Sequence, residues 1–192
     1  FGGSCFKKDI LNLVYLSEYF GLPEVANFWN EVVKLNTWHQ QRISKLITKK
    51  LFGTLSGKKI AILGFAFKSN TNDTRESSAI TICKDLLDEG ARLYINDPKV
   101  NAKQSTKDLG IQPNHDESSI EGTWKNLENI SECLLNADAA VILTEWAEYK
   151  SIDWADASKK MRKPAWIFDT RICLDKNSLQ NIGFNFWTIG SH

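Results

Sequence analysis

Residues 59 to 64 read Lys-Ile-Ala-Ile-Leu-Gly, an unbroken apolar run closed by a glycine. Such a run has no polar face to offer water, so it belongs in a sheet covered on both sides, the situation of a parallel strand. A helical stretch follows from about Ser77 to Glu89 with Gly90 as its stop, and Arg92 to Asn96 (R-L-Y-I-N) supplies a second strand. Strand, crossover helix and strand within roughly 40 residues make a βαβ unit, whose right-handed crossover limits the topologies that can grow from it. Further strands are predicted at Ala139 to Leu143, Ala165 to Asp169 and Phe184 to Ile189, with helical segments near Ser131, from Trp154 to Met161 and near Asn177. The pattern is α/β, a Rossmann-like doubly wound parallel sheet over residues 53–192.

Upstream the period changes. From Phe6 to Phe20 the apolar positions Ile10, Leu13, Val14 and Phe20 fall at helical spacing, and Gly21-Leu22-Pro23 breaks the pattern. A second helix is predicted from Pro23 to about Leu51 through Val25, Phe28, Val32, Leu35, Ile43, Leu46 and Ile47, with Pro23 in its first turn. At 1.5 Å per residue it would be about 40 Å long. One small domain does not cover such a helix, so residues 24–51 are expected to bridge two domains or two subunits, making a homo-oligomer. Gly53 to Gly57 reads as a short linker, and Thr106 to Trp124, polar and holding His115, as a surface excursion. Trp29, Trp38 and Trp166 read as packing residues.

Composition narrows the classes of function. Lys and Arg number 24 against 23 Asp and Glu, a formal net charge of +1, so no electrostatic case exists for a nucleic-acid or membrane partner. No apolar stretch approaches the roughly 20 residues that span a bilayer, and a cytoplasmic location is expected. The four cysteines are widely spaced without a C-x-x-C pair, and the three histidines are equally scattered, which argues against a metal site or a disulfide scaffold. Cys83, Cys133 and Cys173 each sit in apolar surroundings as small buried hydrophobes would.

Cys5 has different neighbours. The opening F-G-G-S-C-F-K-K-D puts it directly after a glycine pair and at a helix start, where unpaired backbone N–H groups and the ammonium groups of Lys7 and Lys8 favour negative charge on sulfur. Asp9, at i+4, shares its helix face. A thiolate beside a carboxylate suits covalent catalysis with general-base help. Read from these residues alone, Gly2-Gly3 can equally be a turn, Ser4 an N-cap and Cys5 a packing residue.

Three segments carry a more specific signal. F-G-G-S-C-F-K-K-D-I-L-N-L resembles the active-site signature of nucleotide-sugar dehydrogenases, the UDP-glucose/GDP-mannose dehydrogenase family, whose core is G-G-x-C-x-x-x-D. K-I-A-I-L-G-F-A-F-K (Lys59 to Lys68) followed by N-D-T-R-E-S-S (Asn72 to Ser78), and I-F-D-T-R (Ile167 to Arg171), are similar to that family's later signatures, in the same order. The resemblance runs from Phe1 to about Gly190.

The resemblance implies an NAD-dependent four-electron oxidation of a sugar 6-hydroxyl to a carboxylate, with Cys5 as nucleophile through a thiohemiacetal and then a thioester. Asp9 would position or deprotonate water, and Lys8 would lie near the cofactor or stabilise oxyanion charge. Phe1, Gly2, Gly3, Phe67, Lys68 and Arg171 would contact the nucleotide sugar, while Cys5, Lys8 and Arg75 would lie beside NAD. Ser77 or Ser78 is the expected cap of the helix after Arg75. The motif details lean toward UDP-glucose as substrate and UDP-glucuronate as product, with GDP-mannose and UDP-N-acetylmannosamine as alternatives. A noncatalytic nucleotide-binding and oligomerisation module with an inert Cys5 is the reading of a different class. The expected division is an active-site loop with central linker helices over 1–52 and a UDP-sugar-binding domain over 53–192.

Gly64-Phe65-Ala66-Phe67-Lys68 stands where a dinucleotide fold has its glycine-rich turn but lacks the second and third glycines. Asp97-Pro98, where such a fold places its ribose acid, reads as a plain turn. The chain opens without Met inside the first signature, and neither an NAD fingerprint nor the family's upstream lysine and glutamate occurs in it. It therefore reads as an excised C-terminal part, expected to show no turnover in isolation.

Overall fold

The computed structural model describes residues 1–114 and 121–190. Helix α1 (Ser4–Tyr19) ends where Gly21 takes a φ of 69°, and the Leu22 amide turns back to donate to the Ser17 carbonyl at 2.8 Å. Helix α2 (Pro23–Lys50) starts on Pro23, carries Glu24 in its first turn and Lys49 and Lys50 in its last, so both ends match the helix dipole. Phe52 and Gly53, both at positive φ, stop it.

The remainder is built on β1 (Lys59–Leu63), α3 (Ser78–Asp88), β2 (Arg92–Asn96), α4 (Ala102–Leu109), β3 (Thr123–Asn126) and α5 (Ile130–Leu134). It continues through β4 (Ala139–Ile142), α6 (Ala147–Lys150), α7 (Trp154–Lys160), β5 (Trp166–Asp169), α8 (Lys176–Ile182) and β6 (Asn185–Thr188). The six strands form one sheet in the order β3-β2-β1-β4-β5-β6, and each pairing is parallel. That is the doubly wound order, with its switch point between β1 and β4, outside whose carboxyl ends such sheets bind ligands. Ile60 to Leu63 and Ala139 to Ile142, the innermost strands, are buried throughout, and helices cover them from both faces.

Two expectations change. Thr106 to Trp124 is not a simple excursion: α4 runs to Leu109, and β3 adds an edge strand whose Trp124 is buried and donates its indole N–H to the Ile111 carbonyl at 3.1 Å. Thr-Trp-Lys-Asn is neither apolar nor long, because an edge strand needs burial on only part of its length. His115 lies outside the described residues.

The second change concerns α1 and α2. The C-terminal turns of α2 join the sheet domain's core through Ile43 and Ile47, followed by Leu51, residues one helical turn apart. Its N-terminal half does not, and Trp38 is 53% exposed with the Arg42 guanidinium 5.8 Å from its ring centroid. Trp29 is half-buried, and Phe6, Tyr15, Phe20, Phe28 and Leu35 are exposed. Part of the apolar spacing that predicted these helices therefore marks a face that this chain leaves open.

Candidate active site

The first turn of α1 presents Cys5, which is exposed. Its cap is Gly3 rather than Ser4, and no side chain accepts from the first-turn amides. Gly3 sits at a φ of 83°, and a Cβ there would stand 2.8 Å from Cε2 of Phe67, so backbone conformation and close approach both require glycine. The Gly3 amide donates to the Glu76 carbonyl at 3.2 Å, and a Cβ on Gly2 would come within 2.9 Å of the same oxygen. The glycine pair is what lets the loop before Cys5 lie against residues 67 to 76.

On the far side, α2 holds Phe1. Its carbonyl accepts from Asn36 Nδ2 at 3.0 Å and from Gln40 Nε2 at 3.2 Å. The Phe1 ring meets Phe6 edge to face, centroids 4.8 Å apart.

The charges around Cys5 separate into committed and free groups. Lys7 donates to Glu76 Oε2 at 2.8 Å, which ties α1 to the loop after β1. Both partners are partly exposed, so this pair contributes at most about 1 kcal/mol and serves placement more than stability. Lys8 and Asp9 are exposed, with Asp9 one turn beyond Cys5 on the same helix face. Arg75 pairs with Asp73 through Nε at 2.9 Å and Nη2 at 2.8 Å. Asp73 holds the guanidinium proton more tightly than usual. The Asp73 carboxyl is in turn held below the usual carboxylate range, chiefly by its hydrogen bonds from Arg75.

A second group gathers at the carboxyl ends of β1, β4 and β5. Arg171 Nε donates to the Leu143 carbonyl at 2.7 Å, and its Nη2 lies 3.5 Å from the Phe67 carbonyl. Glu145 stands between the two loops, with Oε2 at 3.6 Å from Arg171 Nε and Oε1 accepting from the Ser69 amide at 3.3 Å. The turn that presents Arg171 is shaped by Asp169, fully buried, which accepts from the amides of Arg171 at 2.9 Å and of Cys173 and Leu174 at 2.8 Å each. Lys68 is exposed, its Nζ 5.4 Å from the Phe67 ring centroid.

The turn after β1 is closed rather than open to a dinucleotide. Asp97 Oδ2 accepts from the amides of Phe65 at 2.7 Å and Ala66 at 3.0 Å and from the Trp146 indole N–H at 3.2 Å. Its Oδ1 accepts from the Lys99 and Val100 amides at 2.9 and 3.0 Å. In a dinucleotide fold the amides after the first strand meet a pyrophosphate; here they are filled by an internal carboxylate. Gly64, at a φ of 96°, leaves no room either, since even a Cβ there would overlap Thr144. Asp97-Pro98 is thus a turn whose acid organises the loop.

The other cysteines are held as thiols. Burial pushes Cys133 up to about 12 and, together with Asp169, Cys173 up to about 11, and it raises Cys83 further. Among the described residues no group of His, Cys, Asp or Glu could hold a metal ion, and no helix is long and apolar enough to cross a membrane.

The fold therefore brings Gly2 and Gly3 against Phe67 and Glu76, and Arg171 to the Phe67 carbonyl, while Cys5, Lys8 and Asp9 stand exposed on the first turns of α1. Residues that sequence reasoning missed are the supports: Asn36 and Gln40, Glu76 through its backbone, Glu145, and the two buried acids. Asp97 and Asp169 share a readable signal, an acid ending a buried strand directly before a turn.

Residues 61–176 match the model of the UDP-glucose/GDP-mannose dehydrogenase family, UDP binding domain. The chain is 50% identical over 192 residues to UDP-glucose 6-dehydrogenase of Pongo abelii, covering 99% of this chain and 39% of that protein. It is 49% identical over 193 residues to the Drosophila melanogaster protein of the same name, covering 99% and 40%. The chain thus spans about two fifths of the length of these curated relatives. A UDP-glucose dehydrogenase structure from Pyrobaculum islandicum superposes with a TM-score of 0.71 at 27% identity, covering 96% of this chain and 38% of that one.

Proposed function

The chain belongs to the UDP-glucose/GDP-mannose dehydrogenase family, UDP binding domain, and from that membership we propose that it carries the nucleophile and the sugar-nucleotide-holding part of an NAD-dependent oxidation of UDP-glucose to UDP-glucuronate. The observation that supports this most is the exposed thiol of Cys5 at the first turn of α1, its glycine loop packed against Phe67 and Glu76. A thiol whose only task was packing would not be exposed there, behind two glycines that a side chain could not replace.

In this reading Arg171 and Lys68 take the diphosphate, and Phe67 and the loop Phe1-Gly2-Gly3 flank the sugar. NAD supplies the two hydride acceptances when bound. This sheet does not fit it, because Asp97 occupies the amides a pyrophosphate would need; Arg75, exposed and paired with Asp73, would meet a pyrophosphate held by another fold.

The residues' own chemistry follows. The hydroxyl carbon reaches the aldehyde level, and the Cys5 sulfur adds to that carbon while its proton passes to the oxygen. Oxidation of the resulting thiohemiacetal gives a thioester. Water then attacks the carbonyl carbon, the C–S bond breaks, and the thiol is restored with release of the carboxylate. Asp9 holds the attacking water and takes its proton, and Lys8 stands where an ammonium can steady the developing oxyanion.

Residues 1–52 act as the active-site loop and central helices, and 53–192 as the UDP-sugar-binding domain. The open apolar face of α1 and α2 supports a homo-oligomer formed through residues 24–51. Turnover of UDP-glucose, GDP-mannose and UDP-N-acetylmannosamine by the full-length protein tests the substrate. UDP-glucose is expected to lead in kcat/KM by at least about tenfold, roughly 1.4 kcal/mol of transition-state preference. Equal or faster turnover of GDP-mannose would remove the assignment of substrate and leave the family intact.

A further inference from the structure

Cys5 can act only if the loop before it holds still, and the backbone does little of that holding. Gly2 and Gly3 bring no side chains, and the Gly3 amide makes one hydrogen bond, to Glu76. The firm grip is on Phe1. Asn36 and Gln40, one turn apart on the same face of α2, both donate side-chain N–H to the Phe1 carbonyl, so both lone pairs of that oxygen are filled.

Across the loop stand Glu76 and Phe67, close enough that Gly2 and Gly3 could not carry a Cβ. The space left between the two walls, bordered by Val33, Asn36, Gln40 and Glu76, is about 20 Å³. A space of that size holds about one water. The loop is therefore gripped between a rigid helix and the loop after β1, and α2 is the side that grips through hydrogen bonds.

We propose that Asn36 and Gln40 are positioning residues that set the place of the Cys5 sulfur by clamping the Phe1 carbonyl. The inference rests on the reading of Cys5 as nucleophile. Neither side chain touches the reacting atoms; each acts through the peptide four residues before the sulfur. A misplacement of about 1 Å at a reacting group lowers rate on the order of a hundredfold. Loosening the clamp should therefore lower kcat and leave nucleotide binding, which depends on Lys68 and Arg171, little changed.

The test is the double variant Asn36→Asp with Gln40→Glu in the full-length protein. It keeps shape and removes both donors, turning them into carboxylates that repel the Phe1 oxygen. The expected result is a kcat lower by roughly 10- to 100-fold with UDP affinity and the melting temperature little changed. Should the double variant lose its melting transition, Gln40→Met, which keeps length and helix propensity without the donor, carries the test with a smaller drop in kcat.

A folded double variant with wild-type kcat overturns the inference, and so does a parallel rise in KM with kcat intact, which would assign the two amides to substrate binding. Cys5→Ser, measured beside it, separates the two levels. If Cys5→Ser is inactive while the double variant is wild-type, only the clamp is wrong; if Cys5→Ser turns over normally, the reading of the nucleophile falls first.

Discussion

Cys5→Ser in the full-length protein is expected to lower turnover of UDP-glucose by at least about a thousandfold, consistent with the loss seen when a covalent nucleophile is removed. The substitution is close in shape, and serine in the first turn of α1 is well tolerated by the helix, so folding and nucleotide binding should not change. What changes is chemistry. A hydroxyl is a far weaker nucleophile than a thiol near neutral pH, and an oxygen ester hydrolyses less readily than a thioester. Steady-state kinetics with UDP titration measures both quantities: kcat should collapse while UDP affinity stays within about threefold, a difference of under 1 kcal/mol. A variant with kcat and affinity both intact would assign Cys5 to the loop's packing.

The second large effect concerns stability. Asp97→Ala removes the acceptor of the Phe65, Ala66, Lys99 and Val100 amides and of the Trp146 indole N–H. Buried donors left without partners cost roughly 1–3 kcal/mol each when water cannot reach them, and partial relaxation keeps the total near about 4 kcal/mol. That is a large part of the stability of an ordinary domain. The turn after β1 carries Phe67 and Lys68, so the loss reaches the proposed nucleotide site. Chemical denaturation monitored by tryptophan fluorescence should show a midpoint shift of a size that urea m-values make easy to see. An unchanged midpoint would mean that solvent satisfies these donors and that Asp97 is not the hub of the loop.

The sheet was legible because its central strands announce themselves. Ile60 to Leu63 and Ala139 to Ile142 are apolar at every position, as strands covered on both faces must be. β3 was not, since Thr123 to Asn126 lies at an edge and holds a single large apolar side chain, Trp124, so neither an apolar run nor an alternation marks it. α1 and α2 were legible as helices, but periodicity does not say what covers an apolar face, and Phe28, Leu35 and Trp38 turned out exposed. At the candidate site residue type and spacing singled out Cys5 and Asp9 but left a packing reading open, and the other site residues followed from the resemblance alone, while their supports could not be read at all. Asn36 and Gln40 reach Phe1 across 35 and 39 residues of sequence, and Glu145 meets Arg171 only because β4 and β5 are neighbours in the sheet.

The most direct test of Cys5 as nucleophile is alkylation of the native full-length protein with iodoacetamide near neutral pH, mapping label and turnover over time. Cys83 and Cys133 are buried thiols and Cys173 is half-buried and raised to about 11, so these three should lag. The expected result is label on Cys5 first, turnover of UDP-glucose falling in step with it, and both slowed by UDP-glucose. Full activity in protein labelled completely at Cys5 would contradict the account.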